Sequence, residues 1–287
     1  MIKQIVQHPV VKVILSTVFI LFGTFAFKEV LTKPILSGVI SDDLVAKLIG
    51  ATISTLVIVG LYYLVLRFYF KRDFSEFSRK YALKELTIGF FVGFLAIASV
   101  VSILYFIGFY EITGINSILP FMATFTLVMG GVMMEEVVFR GLLLNTLEKW
   151  KGTNLALFVS AIIFQLPHFM NPHEAALPAL GGFLFGVATG CMYTATRRLW
   201  VPFAFHLGWN IAQPFFGTTL SGIGGFNFLF QTNITGPELL TGSAFGIEDS
   251  LLSILTLMLL SLYYYRQTRK KGYLVKMSSP SLAMEAN

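Results

Sequence analysis

Eight apolar runs divide this 287-residue chain, and they constrain its fold more than any other feature. A bilayer-spanning helix needs about 20 mostly apolar residues. The runs are Val10–Phe27, Leu44–Phe70, Leu86–Tyr110, Ile118–Leu147, Leu155–His168, Ala176–Thr194, Leu199–Phe216 and Leu251–Tyr265. The fifth is short, and the fourth is long enough to tilt or to project beyond the bilayer. Hydrophobic residues make up 55% of the chain and charged residues 13%, against roughly a quarter charged in soluble domains. A mean hydropathy of +0.75 is more than a soluble core requires, but a bundle whose outer surface faces lipid requires it. The expected fold is therefore all-α, a polytopic transmembrane helical bundle of about eight spans.

The loops set an orientation. Lys71, Arg72, Arg79, Lys80 and Lys84 follow the second run, Lys149 and Lys151 the fourth, and Arg197 and Arg198 the sixth. Arg266, Arg269, Lys270 and Lys271 follow the eighth, while the intervening loops are poor in Lys and Arg. By the positive-inside rule both termini are cytoplasmic, and an even span count agrees. The first run lacks a clean A-x-A site, so it reads as a first membrane helix and not a removed leader. The net charge of +6 sits between apolar runs, which excludes a nucleic-acid reading and favours the lipid bilayer as partner. Cys191 is the lone cysteine, so it forms no internal disulfide and no Cys-based metal site. Tyr62, Tyr63, Phe68, Tyr69, Trp150, Trp200 and Tyr263–Tyr265 read as interfacial belts. Residues 217–246, rich in Gly, Thr and Asn, read as a long, partly re-entrant loop. Asp249 or Ser250 is a candidate N-cap for the last helix, and the polar tail after Met277 reads as disordered. No internal repeat is evident. Residues 1–117 form N-terminal membrane helices, 118–265 the core and 266–287 a basic cytoplasmic tail.

Ionisable groups inside a bilayer cost at least ~2.5–3.5 kcal/mol each on insertion scales. Here they are few and local. The fourth run holds Glu135, Glu136 and Arg140, the fifth ends in F-Q-L-P-H at His168, and the seventh holds His206 and Asn210 in H-L-G-W-N. Glu136 and Arg140 are i,i+4 with the acid N-terminal, the favourable order, so the pair can neutralise itself and play a structural or orienting role. Glu135 is then left without a local cation. Phe164/His168 and His206/Asn210 are also i,i+4, so three helices each carry a short polar stripe. A single membrane His or Asn is often interhelical glue, but a free Glu, two His and an Asn together are an odd set to keep for packing. His173 and Glu174 read as solvated loop residues and Glu248 as a helix-dipole or capping residue. Counted from their basic flanks, His168 and His206 differ in depth by about 13 Å on straight helices.

E-E-x-x-x-R, F-x-x-x-H and H-x-x-x-N, in this order on successive membrane helices, resemble the CAAX-protease and bacteriocin-processing (CPBP) family. That family includes the eukaryotic Ras-converting endopeptidase and bacterial membrane proteins linked to bacteriocin immunity. The resemblance spans Ile118 to Leu260, and G-I-E-D-S at Gly246 looks like the family's lead into its final helix. It implies a membrane endopeptidase in which Glu135 activates water and His168 helps to hold it. His206 and Asn210 would form the oxyanion hole, with Glu136 and Arg140 bracing the site. The chemistry is reasonable in itself, since peptide hydrolysis needs an activated nucleophile and a stabilised oxyanion. The implied substrate is a peptide or membrane protein, and no cofactor is implied. Two His and a Glu are also a zinc-type ligand set, but H-E-x-x-H is absent and the groups are spread over three helices. A proton-coupled transporter and a non-catalytic immunity or adaptor protein are the competing classes.

Overall fold

The computed structural model describes residues 2–277. Eight long helices match the eight apolar runs. They are α1 (Pro9–Val39), α2 (Asp43–Phe70), α3 (Arg79–Phe106), α4 (Ile118–Lys151), α5 (Thr153–Met170) and α6 (Ala176–Thr196), followed by α7 (Trp200–Phe215) and α8 (Leu251–Lys270). The first six are long and apolar enough to cross a membrane. Thus six, and not eight, meet that standard: α7 has 16 residues, and the last turns of α8 carry Arg266, Gln267, Arg269 and Lys270. The chain is a multi-pass membrane protein with an all-α bundle, to which two short strands are added. Strands β1 (Tyr110–Ile115) and β2 (Phe230–Ile234) pair antiparallel, from Tyr110↔Ile234 to Ile115↔Phe230, with a bulge between Ile112 and Gly114.

Several boundaries move for local reasons. Helix α1 runs on past Phe27 because Glu29 and Lys33 pair across one turn at 3.1 Å, which lets the charged stretch stay helical. Helix α4 spans 34 residues, about 51 Å at 1.5 Å per residue and so longer than the hydrocarbon core. Its segment Glu136–Leu144 is π-helical. Such wide turns are rare and concentrate at functional sites. Ser250 caps α8 by accepting from the Ser253 amide, which selects it over Asp249. The 217–246 segment is more than a loop: it supplies β2, and its residues 220–226 fold against the inner ends of the helices. Residues 273–277 dock on the start of α5, where Thr153 N–H donates to the Val275 carbonyl at 2.9 Å. The polar tail beyond Met277 lies outside the described residues.

The basic loops gather at one end of the bundle. Arg198 pairs with Glu85, Arg197 with Glu148, and Lys271 reaches the Ala195 carbonyl. In the same layer a buried network closes around Glu76. Tyr62 and Tyr193 donate to its carboxylate at 2.7 and 2.8 Å, and Arg72 donates to it at 2.7 Å. Tyr62 is fully buried here, so it is not part of an interfacial belt. Arg72 also donates to the Gly141 carbonyl at 2.7 Å, which ties the α2–α3 loop to the π segment of α4.

Helices α3 and α7 meet at backbone contact. A Cβ on Gly93 would lie 2.1 Å from the Phe205 carbonyl oxygen, one on Gly89 2.7 Å from that of Val201, and one on Gly208 2.2 Å from that of Phe90. In lipid, where helices gain nothing from excluding water, such close approach is a main source of association. Gly93→Val should destabilise the fold by about 3 kcal/mol through overpacking. Gly60→Ala, where an added Cβ meets nothing within 4 Å, should leave the melting temperature unchanged or slightly raised. Thermal unfolding in detergent checks both.

Candidate active site

The polar residues of α4, α5 and α7 converge on one cavity of about 330 Å³. Glu135, His168, His206 and Asn210 all line it, while Glu136 and Arg140 stand behind its wall. Glu135 is the last residue before the π segment and Glu136 the first within it. One helix thereby delivers two adjacent carboxylates, one to the cavity and one to the core.

Glu136 is fully buried. Its Oε1 accepts from His206 Nδ1 at 2.8 Å and lies 3.3 Å from Arg140 Nη1. Arg140 donates to the Thr189 hydroxyl of α6, and its guanidinium sits 4.3 Å from the centroid of Phe164 on α5. The Thr189 hydroxyl in turn donates to the Phe185 carbonyl at 2.7 Å. The pair is therefore not self-contained, because His206 joins it.

An ionised carboxylate can only accept, so the nitrogen bonded to it is the donor and His206 carries a proton on Nδ1. Its Nε2 then turns to the cavity, 3.8 Å from Glu135 Oε2. Glu135 does have a cation-forming neighbour, on another helix, contrary to the expectation from α4 alone. His206 is fixed by an edge-to-face contact with Phe185, centroid to centroid 4.6 Å. His168 Nδ1 lies 3.0 Å from the Phe164 carbonyl, which again demands Nδ1–H and leaves Nε2 as the acceptor of a neutral ring. Asn210 stands one turn beyond His206 on the cavity wall.

The two histidines reach one cavity despite the depth difference counted from their basic flanks. Both rings flank Phe164, at 5.0 Å for His168 and 6.3 Å for His206.

Other residues serve the site without having been legible as such. Thr189 and Phe185 hold Arg140 and His206, yet in sequence they are ordinary residues of apolar runs; Phe164, the first residue of F-x-x-x-H, lies under Arg140. Glu248 does not cap α8. It accepts from Trp209 Nε1 at 3.2 Å, Gln213 Nε2 at 2.8 Å and the Ser221 hydroxyl at 2.6 Å, and so pins the 217–246 segment to α7. Glu174 is half-buried and accepts from Gln165 Nε2 at 3.1 Å, so it is not simply a solvated loop residue. Among the described residues, no group of three His, Cys, Asp or Glu side chains is disposed to hold a metal ion.

A family model described as Type II CAAX prenyl endopeptidase Rce1-like matches residues 116–212. That segment, about a third of the chain, is thus similar to CAAX-type intramembrane endopeptidases, and it contains the six predicted site residues. It ends on α7 and does not extend to G-I-E-D-S or to α8. No curated protein and no solved structure matches the chain.

Removing one partner of a buried ion pair leaves an uncompensated charge, which costs about 3–5 kcal/mol. Arg140→Met should therefore unfold or strongly destabilise the protein. Adding Glu136→Gln should recover most of the loss, because both charges are then gone. Melting temperatures of the two single variants and the double variant in detergent check this.

Proposed function

We propose that this protein is a metal-free membrane endopeptidase in which Glu135 is the general base. One observation carries the reading: His206 stands between the two glutamates, with Nδ1 bonded to Glu136 and Nε2 facing Glu135 across the cavity. Two carboxylates and one guanidinium leave one negative charge in this cluster. An imidazolium at His206 would carry an N–H on each nitrogen, one for Glu136 and one for the cavity.

The reaction follows from these positions. Glu135 takes a proton from a water molecule as the water oxygen attacks the peptide carbonyl. His168 Nε2 accepts the water's other hydrogen and orients it. The carbonyl oxygen, now negative, receives N–H donors from His206 Nε2 and the Asn210 amide. The C–N bond then breaks, and Glu135 passes its proton to the leaving amine. Glu136 and Arg140 hold His206 in place and touch no reacting atom.

The substrate is a peptide segment of a membrane-associated protein, extended where it passes the cavity. We place both termini in the cytoplasm, on the strength of the basic loops at one end of the bundle. The cavity-lining segments 220–226 and 245–249, together with Asn171, lie at the other end. The chamber accordingly opens away from the cytoplasm.

Purified wild type and Glu135→Gln, compared on a quenched peptide library, test the reading. Glu135→Gln should lower kcat/KM by at least about 10³-fold, and Asn210→Ala by about 10²-fold, mainly in kcat. A chelator should leave wild-type cleavage intact. Equal cleavage by wild type and Glu135→Gln would overturn the assignment of the base, and loss of cleavage with chelator would overturn the metal-free mechanism.

A further inference from the structure

The cavity that holds Glu135 continues outward to a rim built of hydrogen-bond acceptors. Glu248 and Asp249 line it, and Glu174 joins them through Gln165. No Lys or Arg lines the cavity, and none of these three carboxylates takes part in an ion pair among the described residues. Glu174 and Asp249 lie outside the spanning helices. Burial, and then the neighbouring carboxylates, hold the Glu174 carboxyl above its ordinary range. Burial raises that of Asp249, against the opposing effect of its bonds from Ser243.

The amides around the rim carry an independent sign of a ligand. Gln165 is 5% exposed and lines the cavity, yet its Oε1 has no hydrogen-bond partner. The amide cannot be turned over, because its nitrogen donates to Glu174 and a reversed amide would set oxygen against a carboxylate. Gly182, another wall residue, makes room for that oxygen, since any side chain there would collide with it. Gln213, fully buried behind the cavity wall, also has an unpartnered oxygen while its nitrogen donates to Glu248. Glu174 Oε2 is also buried without a partner. The rim thus holds acceptors in excess of its donors, and negative charge with no positive charge beside it.

We propose that this rim is a recognition site for a cationic side chain of the substrate, a lysine or arginine held by Glu174, Asp249 and the Gln165 oxygen. An ammonium or guanidinium offers donors only and supplies the missing charge. The inference rests on the reading of the cavity as a peptide-cleaving site. It adds that the substrate presents a basic residue on the outward side of the scissile bond.

The test uses the full chain in detergent as Glu135→Gln, so that binding is read without cleavage. Two pools of short fluorescent peptides are compared, randomised except for one central position that is Lys in one pool and acetyl-lysine in the other. The Lys pool should bind about tenfold more tightly at low ionic strength. Adding Glu174→Gln or Asp249→Asn should remove most of that preference. Equal binding of the pools, including no binding of either, would overturn the site and assign the missing donors to solvent. A Lys preference untouched by both added variants would overturn it too, by placing the cation elsewhere. Failure of the protease reading would show separately, as peptides left uncleaved by the wild-type chain.

Discussion

A guanidinium and a carboxylate placed inside a bilayer cannot be left for water to solvate, and the Glu136–Arg140 pair turns that constraint into architecture. Neither residue is more than 2% exposed. Their remaining hydrogen-bonding capacity has to be met by other helices. Thr189 of α6 accepts from Arg140, Phe164 of α5 lies under it, and His206 of α7 donates to Glu136. Three helices are thereby fixed against the fourth at one depth. The cavity residues inherit their positions from this arrangement. His206 faces Glu135 because its other nitrogen is held by Glu136, and His168 lies near both because it shares the Phe164 ring.

A second polar layer stands at the basic end and keeps α4 from sliding. Arg72 binds Gly141 of the π segment, and Glu76 gathers Tyr62, Tyr193 and Arg72 around itself. Gly141 suits this crossing, because a Cβ there would meet the Tyr62 hydroxyl at 2.6 Å. Between the two layers the bundle is held by shape, most tightly where Gly89, Gly93 and Gly208 bring α3 and α7 to backbone contact. The π segment starting at Glu136 is thus held by its own ion pair and, at Gly141, by Arg72. That clamping makes a fixed pair of adjacent carboxylates possible on a helix that would otherwise be free to shift register.

What could be read in the sequence follows from which signals are local. The eight helices show as apolar runs because lipid on the outside and packing on the inside both favour apolar side chains, α7 being buried along almost all of its length. The six motif residues show because charge in a membrane is rare enough to notice. Contacts between distant segments leave no such trace. Nothing about Thr189 or Phe185 distinguishes them from their apolar neighbours. Tyr62 has the composition of an interfacial residue and is instead buried against Glu76, seen only once the 71–78 loop folds back. Glu248 sits at a helix start, where a capping role is the simplest local account, yet its partners are 27 to 39 residues away.

In the proposed mechanism Glu135 activates water and does not itself attack the substrate. Single-turnover cleavage in ¹⁸O-enriched water tests this most directly, with mass spectrometry of both the product and the protein. The account predicts one ¹⁸O in the new product carboxylate from the first turnover and none in Glu135. An unlabelled product with ¹⁸O in the Glu135 carboxylate would mean a covalent intermediate on that residue, and would contradict it.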